Sequence, residues 1–304
     1  MINYIHFIKY PRISNNRIIF SVYTANDLRT EPGTEPVSIN LAILVHTRKI
    51  KPIRIDGAIQ SNKVIELAMS HYGLLPSDSF TLLFYAKNSS IKPEIADVLH
   101  SPHPLPLQSL PIPSKDAVHS QQRSFTVNAK QLHILEHCSF DLDKKLWDSG
   151  LALSAELCSS LGSYINPSKP LNVLELGTDL DTAIPLLSKN IKRNAHLYEN
   201  IQLRAEELSW GESSPVENAP YDVVIAADIT YNTSSFSLLS KTLESIFNAN
   251  PSTRLILAHK YRDQQEETFW EYTKELKLTS THLKTVGRGR RGYETEIWEF
   301  KREQ

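Results

Sequence analysis

The stretch LNVLELGTDLDTAIPLLSKN, residues 171–190, decides the fold class of this chain. Its opening "LNVLEL" is a largely apolar run, which predicts a parallel strand buried on both faces. The following "DTAIPLLSKNIKRN" places Ile184, Leu187 and Ile191 on one helical face, and Pro185 fits only in the first turn of a helix. A strand that leads into a helix in this way indicates an α/β unit.

The same alternation of strand and helix continues to the end of the chain. Predicted strands are "NIQLRAEEL", "YDVVIAADITY" and "TRLILAHKY"; predicted helices are "DKKLWDSGLALSAELCSSLG", "SSFSLLSKTLESIF" and "DQQEETFWEYTKELKL". Two closing strands, "THLKTVG" and "GYETEIWEF", indicate an antiparallel hairpin at one edge. We therefore predict a doubly wound, mostly parallel α/β sheet.

The first part of the chain predicts a separate, smaller α+β domain over residues 1–98. It has strand-like runs "RIIFSVYT", "VSINLAILVHT" and "SFTLLFYAK", and "SNKVIELAMSHYG" is typical of a helix. Residues 99–125 include the proline-rich "SPHPLPLQSLPIPSKD", which predicts an extended linker. The second domain then covers residues 126–304. For the first domain, docking and substrate recognition both remain open.

The composition of the chain indicates which partners and which cellular compartment to expect. A net charge of −1 gives no global attraction to nucleic acid or an anionic membrane, and no apolar run approaches the ~18 residues of a membrane span. The N-terminal "MINYIHFIKYPR" is interrupted before a signal-peptide core forms. The two cysteines, Cys138 and Cys158, are too few for a disulfide framework. We expect a cytoplasmic protein, with the nucleus as a further location.

Two predicted strand ends carry residue types suited to a ligand site. Glu175 and Gly177 end the first strand of the sheet, and Asp228 and Tyr231 follow "VVIAA". Ligands of doubly wound sheets bind beyond the carboxyl ends of central strands, where the small Ala227 leaves space. The alternative, that Glu175 and Asp228 only cap the helices that follow, stays open here.

These motifs resemble the seven-stranded, S-adenosylmethionine-dependent methyltransferases over about residues 140–300. The similar stretches are "VLELG", "IPLLSKNIKRNA", "ELSWG" and, most specifically, "YDVVIAADITYN". More narrowly, the chain resembles protein-lysine methyltransferases related to the elongation-factor 2 lysine methyltransferases. Their Asp-x-x-Tyr motif is matched by Asp228 and Tyr231, their helical tryptophan by Trp147, and their "DWG" element, imperfectly, by the "SWG" around Trp210.

The resemblance implies methyl transfer to a lysine of a protein substrate, with a translation elongation factor as one candidate. Asp228 would orient the lysine and hold its positive charge before deprotonation, and Tyr231 would shape the lysine channel. The implied contacts of the cofactor, S-adenosylmethionine, are Trp147, Glu175, Gly177, Asp179, Trp210 and Ala227. Among these, Asp179 would be the carboxylate that binds the ribose.

One departure from the family concerns the segment after Gly177, where a glycine-rich loop, a helix and a second strand are expected. Here "TDLDTAIPLLSKN" follows at once. Roughly 20–25 residues are absent by this comparison, because a parallel crossover alone needs about a dozen or more. The next strand would then be "NIQLRAEEL". Three interpretations stay open: a truncated product of a methyltransferase gene, a non-catalytic binding protein, or a rearranged active site.

Two further clusters are weaker candidates. His133 and His137 would lie one helical turn apart and could bind a metal, but no third ligand accompanies them, so no metal site is expected. The loop "GRGRRG", with Arg288, Arg290 and Arg291, could bind phosphate or RNA. A solvated hairpin tip or a protein-docking patch is the more common role of such a loop, so nucleic acid is not expected as a partner.

Overall fold

The computed structural model describes residues 2–30, 37–59, 63–114, 119–138, 144–164, 170–177, 181–198, 201–212, 219–287 and 294–303. Its internal contacts divide these residues into two compact units. The first unit comprises residues 2–146 and 185–204, and the second comprises residues 147–184 and 205–304.

The first unit consists mainly of antiparallel β-strands. They are β1 (Tyr4–Ser14), β2 (Arg17–Ala25), β3 (Ile39–Val45), β4 (Ile53–Ile59), β5 (Ile65–Ala68), β6 (Phe80–Ala86), β7 (Leu107–Ser109), β8 (Ser120–Val127) and β9 (Lys130–His137). One sheet has the order β1-β2-β5 and the other β4-β3-β6-β7-β8-β9. Side chains of both sheets form one core, in which Phe84 meets Phe7 and Phe20 at ring-centroid distances of 5.5 and 5.1 Å.

Local sequence explains two of the hairpins in this unit. Asn15 and Asn16 join β1 to β2, and Asn128 and Ala129 join β8 to β9; all four residues have positive φ. Two-residue loops with left-handed backbone match the twist of paired strands, and asparagine tolerates that conformation better than most residues.

The first unit differs from the prediction in two places. The predicted helix "SNKVIELAMSHYG" contains β5 and a single 3₁₀ turn at Met69–Tyr72, because Ile65–Ala68 pair with β2. The predicted linker, residues 99–125, contributes β7 between β6 and β8, and β8 itself begins at Ser120. Pro106 directly precedes the three-residue β7, so no proline interrupts its pairing.

A buried ion pair connects several strands of the first unit. The Arg123 guanidinium, 1 % exposed, donates to Glu136 at 2.7 Å and to the carbonyl oxygens of Ile5 and Pro106, each at 3.0 Å. Glu136 also accepts from the backbone N–H of Leu146 at 2.9 Å. Each buried charge therefore has an opposite charge and further hydrogen bonds, as burial requires.

The second unit contains the predicted α/β sheet. The elements from residue 147 onward are α1 (Asp148–Tyr164), β10 (Val173–Leu176), α2 (Ile184–Arg193), β11 (Val223–Ala227), α3 (Phe236–Ala249), β12 (Arg254–His259), α4 (Phe269–Glu275), β13 (Leu278–Val286) and β14 (Thr295–Arg302). Of these, α2 groups with the first unit from Pro185 onward, and the others form the second unit. The strand order is β10-β11-β12-β14-β13, with the first three strands parallel. Strand β14 is antiparallel to both neighbours, which confirms the predicted hairpin.

Helix α2 covers the outer edge of β9 through two asparagine side chains. Asn190 accepts from the N–H of Leu135 at 2.8 Å and donates to its carbonyl at 3.1 Å. Asn194 does the same for His133, at 2.8 and 2.7 Å. Four helical residues rise ~6 Å and two strand residues ~6.8 Å, so this spacing matches the free edge. The two amides take the place of a further strand.

The sheet of the second unit ends at β10 among the described residues. The predicted strand "NIQLRAEEL" is not formed, since residues 201–209 have no regular structure, and Ile201 is 63 % exposed. Burial of β10 on both faces is not observed either, since Val173 is 47 % exposed. The faces of a parallel strand are buried by helices packed on the sheet, and the face that carries Val173 is not fully covered.

Candidate active site

Three strand ends meet at one edge of the sheet in the second unit. Leu176 of β10 is paired with Ala226 of β11, and Ala227 is paired with Ala258 of β12. Gly177 and Asp228, which follow the ends of β10 and β11, therefore lie at neighbouring positions. The structure thus brings together the two strand ends that the sequence singled out.

The backbone at Asp228 turns sharply as the chain leaves β11. Its φ is 57°, in the left-handed region, and its N–H donates to the carbonyl of Ala258 at 3.1 Å. The side chain is buried, with 6 % of the residue exposed. This turn holds a carboxylate in a protected position at the strand end.

An arginine that the sequence analysis missed neutralises this carboxylate. Arg262 donates from Nη1 to Oδ1 of Asp228 at 2.7 Å and from Nη2 to Oδ2 at 2.9 Å. The two parallel bonds make a bidentate pair, the strongest common form of a guanidinium–carboxylate contact. The available signal was positional: Arg262 follows β12, the strand next to β11, by three residues.

Trp147 joins the same cluster from the residue before α1. The guanidinium carbon of Arg262 lies 5.5 Å from the centroid of its ring, within cation–π range. The next residue, Asp148, forms a buried ion pair with Lys260 at 2.9 Å. The carbonyl of Lys260 accepts a second bond from Arg262, at 3.1 Å. The predicted site tryptophan is therefore adjacent to the Asp228–Arg262 pair.

A buried polar chain extends from Asp228 toward α4. The hydroxyl of Thr230 lies 2.7 Å from Nδ1 of His259, and Nε2 of His259 lies 3.8 Å from the carboxyl of Glu266. Glu266 accepts from the backbone N–H of Arg262 at 3.2 Å. Burial raises the pKa of Glu266 to about 7, although this hydrogen bond opposes the shift.

The other predicted site residues have different surroundings. Tyr231 is 44 % exposed and Glu175 is also exposed, so both face solvent. Trp210 packs against the buried cluster of the second unit, and the next N–H, that of Gly211, donates to Thr242 of α3 at 2.9 Å. Asp179 lies outside the described residues.

The weaker candidates do not form a metal site in the structure. His133 and His137 belong to β9, so they are not one helical turn apart, and Nδ1 of His133 lies 2.9 Å from the hydroxyl of Ser124. Within the ranges that the structure describes, no group of three metal-ligating side chains occurs. The arginines of "GRGRRG" fall in the undescribed stretch 288–293.

The strand ends carry small residues of the kind that a nucleoside cofactor can approach closely. Gly177 has no side chain and Ala227 has only a methyl group, so a ligand can approach both backbones. Glu175 provides a carboxylate on the strand that precedes Gly177, and a carboxylate suits an amino group. Contact of these residues with the methionine end of S-adenosylmethionine stays a prediction.

Comparison with known proteins confirms the resemblance. Residues 178–276 match the model of a family described as Lysine methyltransferase. A UPF0665 family protein of Schizosaccharomyces pombe is 30 % identical over an aligned length of 161 residues, and the match covers 45 % of this chain and 48 % of that protein. Protein-lysine N-methyltransferase EFM6 of Saccharomyces cerevisiae is 36 % identical over 106 residues, 32 % of this chain and 42 % of that protein. EEF1A lysine methyltransferase 3 of Xenopus tropicalis is 26 % identical over an aligned length of 167 residues, and the match covers 48 % of this chain and 71 % of that protein.

The extent of these matches bears on the short segment after Gly177. The chain spans about half the length of the first two relatives, and the family match begins at residue 178, directly after that glycine.

Proposed function

We propose that this chain is a methyltransferase that transfers a methyl group from S-adenosylmethionine to a lysine side chain of a protein. The observation that carries the proposal is the buried carboxylate of Asp228, which lies inside the family match and already holds a cation, the guanidinium of Arg262. A site that binds a guanidinium in this way suits the ammonium group of lysine.

In this proposal, each residue of the candidate site has a separate role in binding the lysine or the cofactor. Asp228 binds the incoming ammonium group and fixes the direction from which its nitrogen approaches; the ammonium group loses one proton to solvent before the nitrogen lone pair attacks the methyl group. The exposed Tyr231, three residues later, forms a wall of the entrance. Gly177, Glu175 and Ala227 hold the methionine end of the cofactor, which supplies an electrophilic methyl group on a sulfonium. Orientation of this kind lowers the entropic cost of bringing two reactants together.

A labelled methyl donor added to a cell extract with the purified chain tests this function. We expect label on a protein, and we expect Asp228→Asn to reduce it by at least about a hundredfold, as losing a positioning group at the reacting atoms commonly does. Asp263→Asn, an exposed carboxylate one residue beyond Arg262, is the matched control. Equal labelling by the Asp228→Asn variant would exclude Asp228 from the reaction.

A second candidate function is a non-catalytic protein that recognises lysine without methylating it. The short connection between β10 and α2 favours it, because only residues 177–183 separate these elements and no described strand lies beyond β10. Isothermal titration with S-adenosylmethionine distinguishes the two functions: micromolar binding supports the enzyme. A genomic reading frame with no glycine-rich coding segment near Gly177, together with absent cofactor binding, would support the non-catalytic protein.

The setting of the reaction is part of the same proposal. A translation elongation factor is a reasonable substrate, since one relative is named for EEF1A. Neither Cys138 nor Cys158 forms a disulfide bond within the part of the chain that the structure describes, which suits the cytoplasm or the nucleus, and we do not propose nucleic acid as a partner. Among the described helices, none has both the length and the apolar character needed to cross a membrane.

A further inference from the structure

A pocket that includes His259 opens near the carboxyl end of β12. This aromatic pocket has a volume of about 240 Å³ and is lined by His259, Tyr261, Glu267, Trp270, Glu296 and Trp298. Strand pairing places His259 of β12 opposite Glu296 of β14. Both sheet strands and helix α4 therefore contribute to its walls.

The aromatic side chains of the pocket are fixed by one another. The ring of Trp270 lies 5.6 Å from that of Trp298 at 76° and 5.1 Å from that of His259 at 70°. The indole N–H of Trp298 donates to Glu296 at 2.9 Å, which fixes the carboxylate as well. These edge-to-face contacts hold the two indole rings and the imidazole in fixed relative orientations.

The charge of the pocket selects the kind of ligand. Glu267 and Glu296 supply two carboxylates, and none of the described lining residues is a lysine or an arginine. His259 is buried, and its Nδ1 lies 2.7 Å from the Thr230 hydroxyl. The negative faces of tryptophan and tyrosine rings attract cations, and organic cations most of all when they can also bury methyl groups. Anionic ligands are disfavoured by the same charges.

We propose that the aromatic pocket binds a methylated ammonium group, the chemistry shared by a methylated lysine side chain and by small quaternary amines. The rings contact the methyl groups, and the two carboxylates balance the positive charge. This site is distinct from the Asp228–Arg262 pair, since neither of those residues lines the aromatic pocket. The proposal does not depend on methyl transfer, because ligand binding requires no donor.

Isothermal titration of the full chain tests the pocket with three probes: Nα-acetyl-Nε-trimethyl-lysine amide, choline, and 3,3-dimethylbutanol, the neutral isostere of choline. We expect at least one cation to bind at least about tenfold more tightly than the neutral isostere, since a cation–π contact of about 1.4 kcal/mol corresponds to tenfold. Stronger binding of the lysine derivative would identify a protein ligand, and stronger binding of choline a free amine.

Two conservative variants locate the binding. Glu296→Gln and Glu267→Gln keep the shape of the pocket and remove one charge each, so each should weaken cation binding several-fold without affecting the neutral isostere. Glu271→Gln, an exposed glutamate of α4 outside the pocket, is the matched control and should bind like the original chain. Equal affinity for choline and its isostere, unchanged affinity in both pocket variants, or no cation binding at millimolar concentration would overturn the proposal.

Discussion

Asp228 is the residue on which the chemistry of the candidate site depends, and its backbone is unusual. Residues other than glycine seldom adopt positive φ, and such conformations cost about 1–3 kcal/mol unless the surroundings compensate. Here the N–H bonds to Ala258 and the carboxylate bonds twice to Arg262. The sequence could identify Asp228, because it follows a clear strand. It could not identify Arg262, whose pairing depends on where two separate strands end.

Removing Arg262 should open Asp228 to external ammonium ions. In the present arrangement a lysine side chain would have to displace a bidentate guanidinium, so we expect n-butylammonium to bind Arg262→Ala at least about tenfold more tightly than the original chain. Isothermal titration measures this. The double variant Arg262→Ala with Asp228→Asn should lose the gain, and a gain that persists in it would mean that the ion binds elsewhere.

Glu266 should make the stability of the second unit depend on pH. Its pKa is raised from an ordinary 4.5 to about 7 in the folded chain, so between these values the folded state binds more protons than the unfolded state. Stability from this group therefore falls as the pH rises from about 4.5 to 7. The unfolding free energy of the original chain minus that of the Glu266→Gln variant should therefore decrease as the pH rises across that range.

Urea unfolding followed by tryptophan fluorescence measures this difference, because all four tryptophans lie in the second unit. Glu271→Gln, which removes an exposed carboxyl from the same region, is the matched control. A flat difference for Glu266→Gln would mean that the carboxyl titrates normally.

At the scale of elements, the sequence predicted the helices and strands that have a clear apolar periodicity. It missed those segments whose structure depends on pairing with another strand. The strands β11 and β12 and the helices α1, α2 and α3 follow from long apolar patterns. In contrast, "VIELAMSHY" has spacings compatible with a helix, and only the free edge of β2 makes Ile65–Ala68 a strand. Residues 201–209 show the reverse case, because a strand-like pattern forms no strand without a partner.

Helix α2 provides an element-scale prediction through its contact with β9. Asn190→Ala and Asn194→Ala each leave a backbone N–H and carbonyl of an edge strand without their amide partner, so each should cost about 1–3 kcal/mol. Hydrogen exchange of the Leu135 and His133 amides should rise in the corresponding variants. Lys192→Ala, at an exposed position between the two asparagines, should leave both exchange rates unchanged.

At the scale of the whole molecule, the two units are interleaved along the chain. Residues 185–204 leave the α/β segment and group with residues 2–146. A division of the sequence into contiguous domains at 98 and 125 could not anticipate this, since it depends on two asparagines meeting a strand edge about 55 residues earlier in the chain. The sequence shows that the connection after β10 is short. It does not show that the helix after this connection, α2, packs against β9.

This division into units makes binding of the methyl donor measurable in the intact chain. If S-adenosylmethionine binds at Gly177, Glu175 and Ala227, it should stabilise the second unit alone, by about 2.7 kcal/mol at a concentration one hundred times its dissociation constant. Tryptophan fluorescence reports that unit, because all four tryptophans lie in it, while far-ultraviolet circular dichroism reports the backbone of both units together. Gly177→Val should abolish the fluorescence shift, because a branched side chain would occupy the position where the ligand approaches the backbone. If both units unfold cooperatively and S-adenosylmethionine shifts neither unfolding transition, the result would favour the non-catalytic protein over the enzyme.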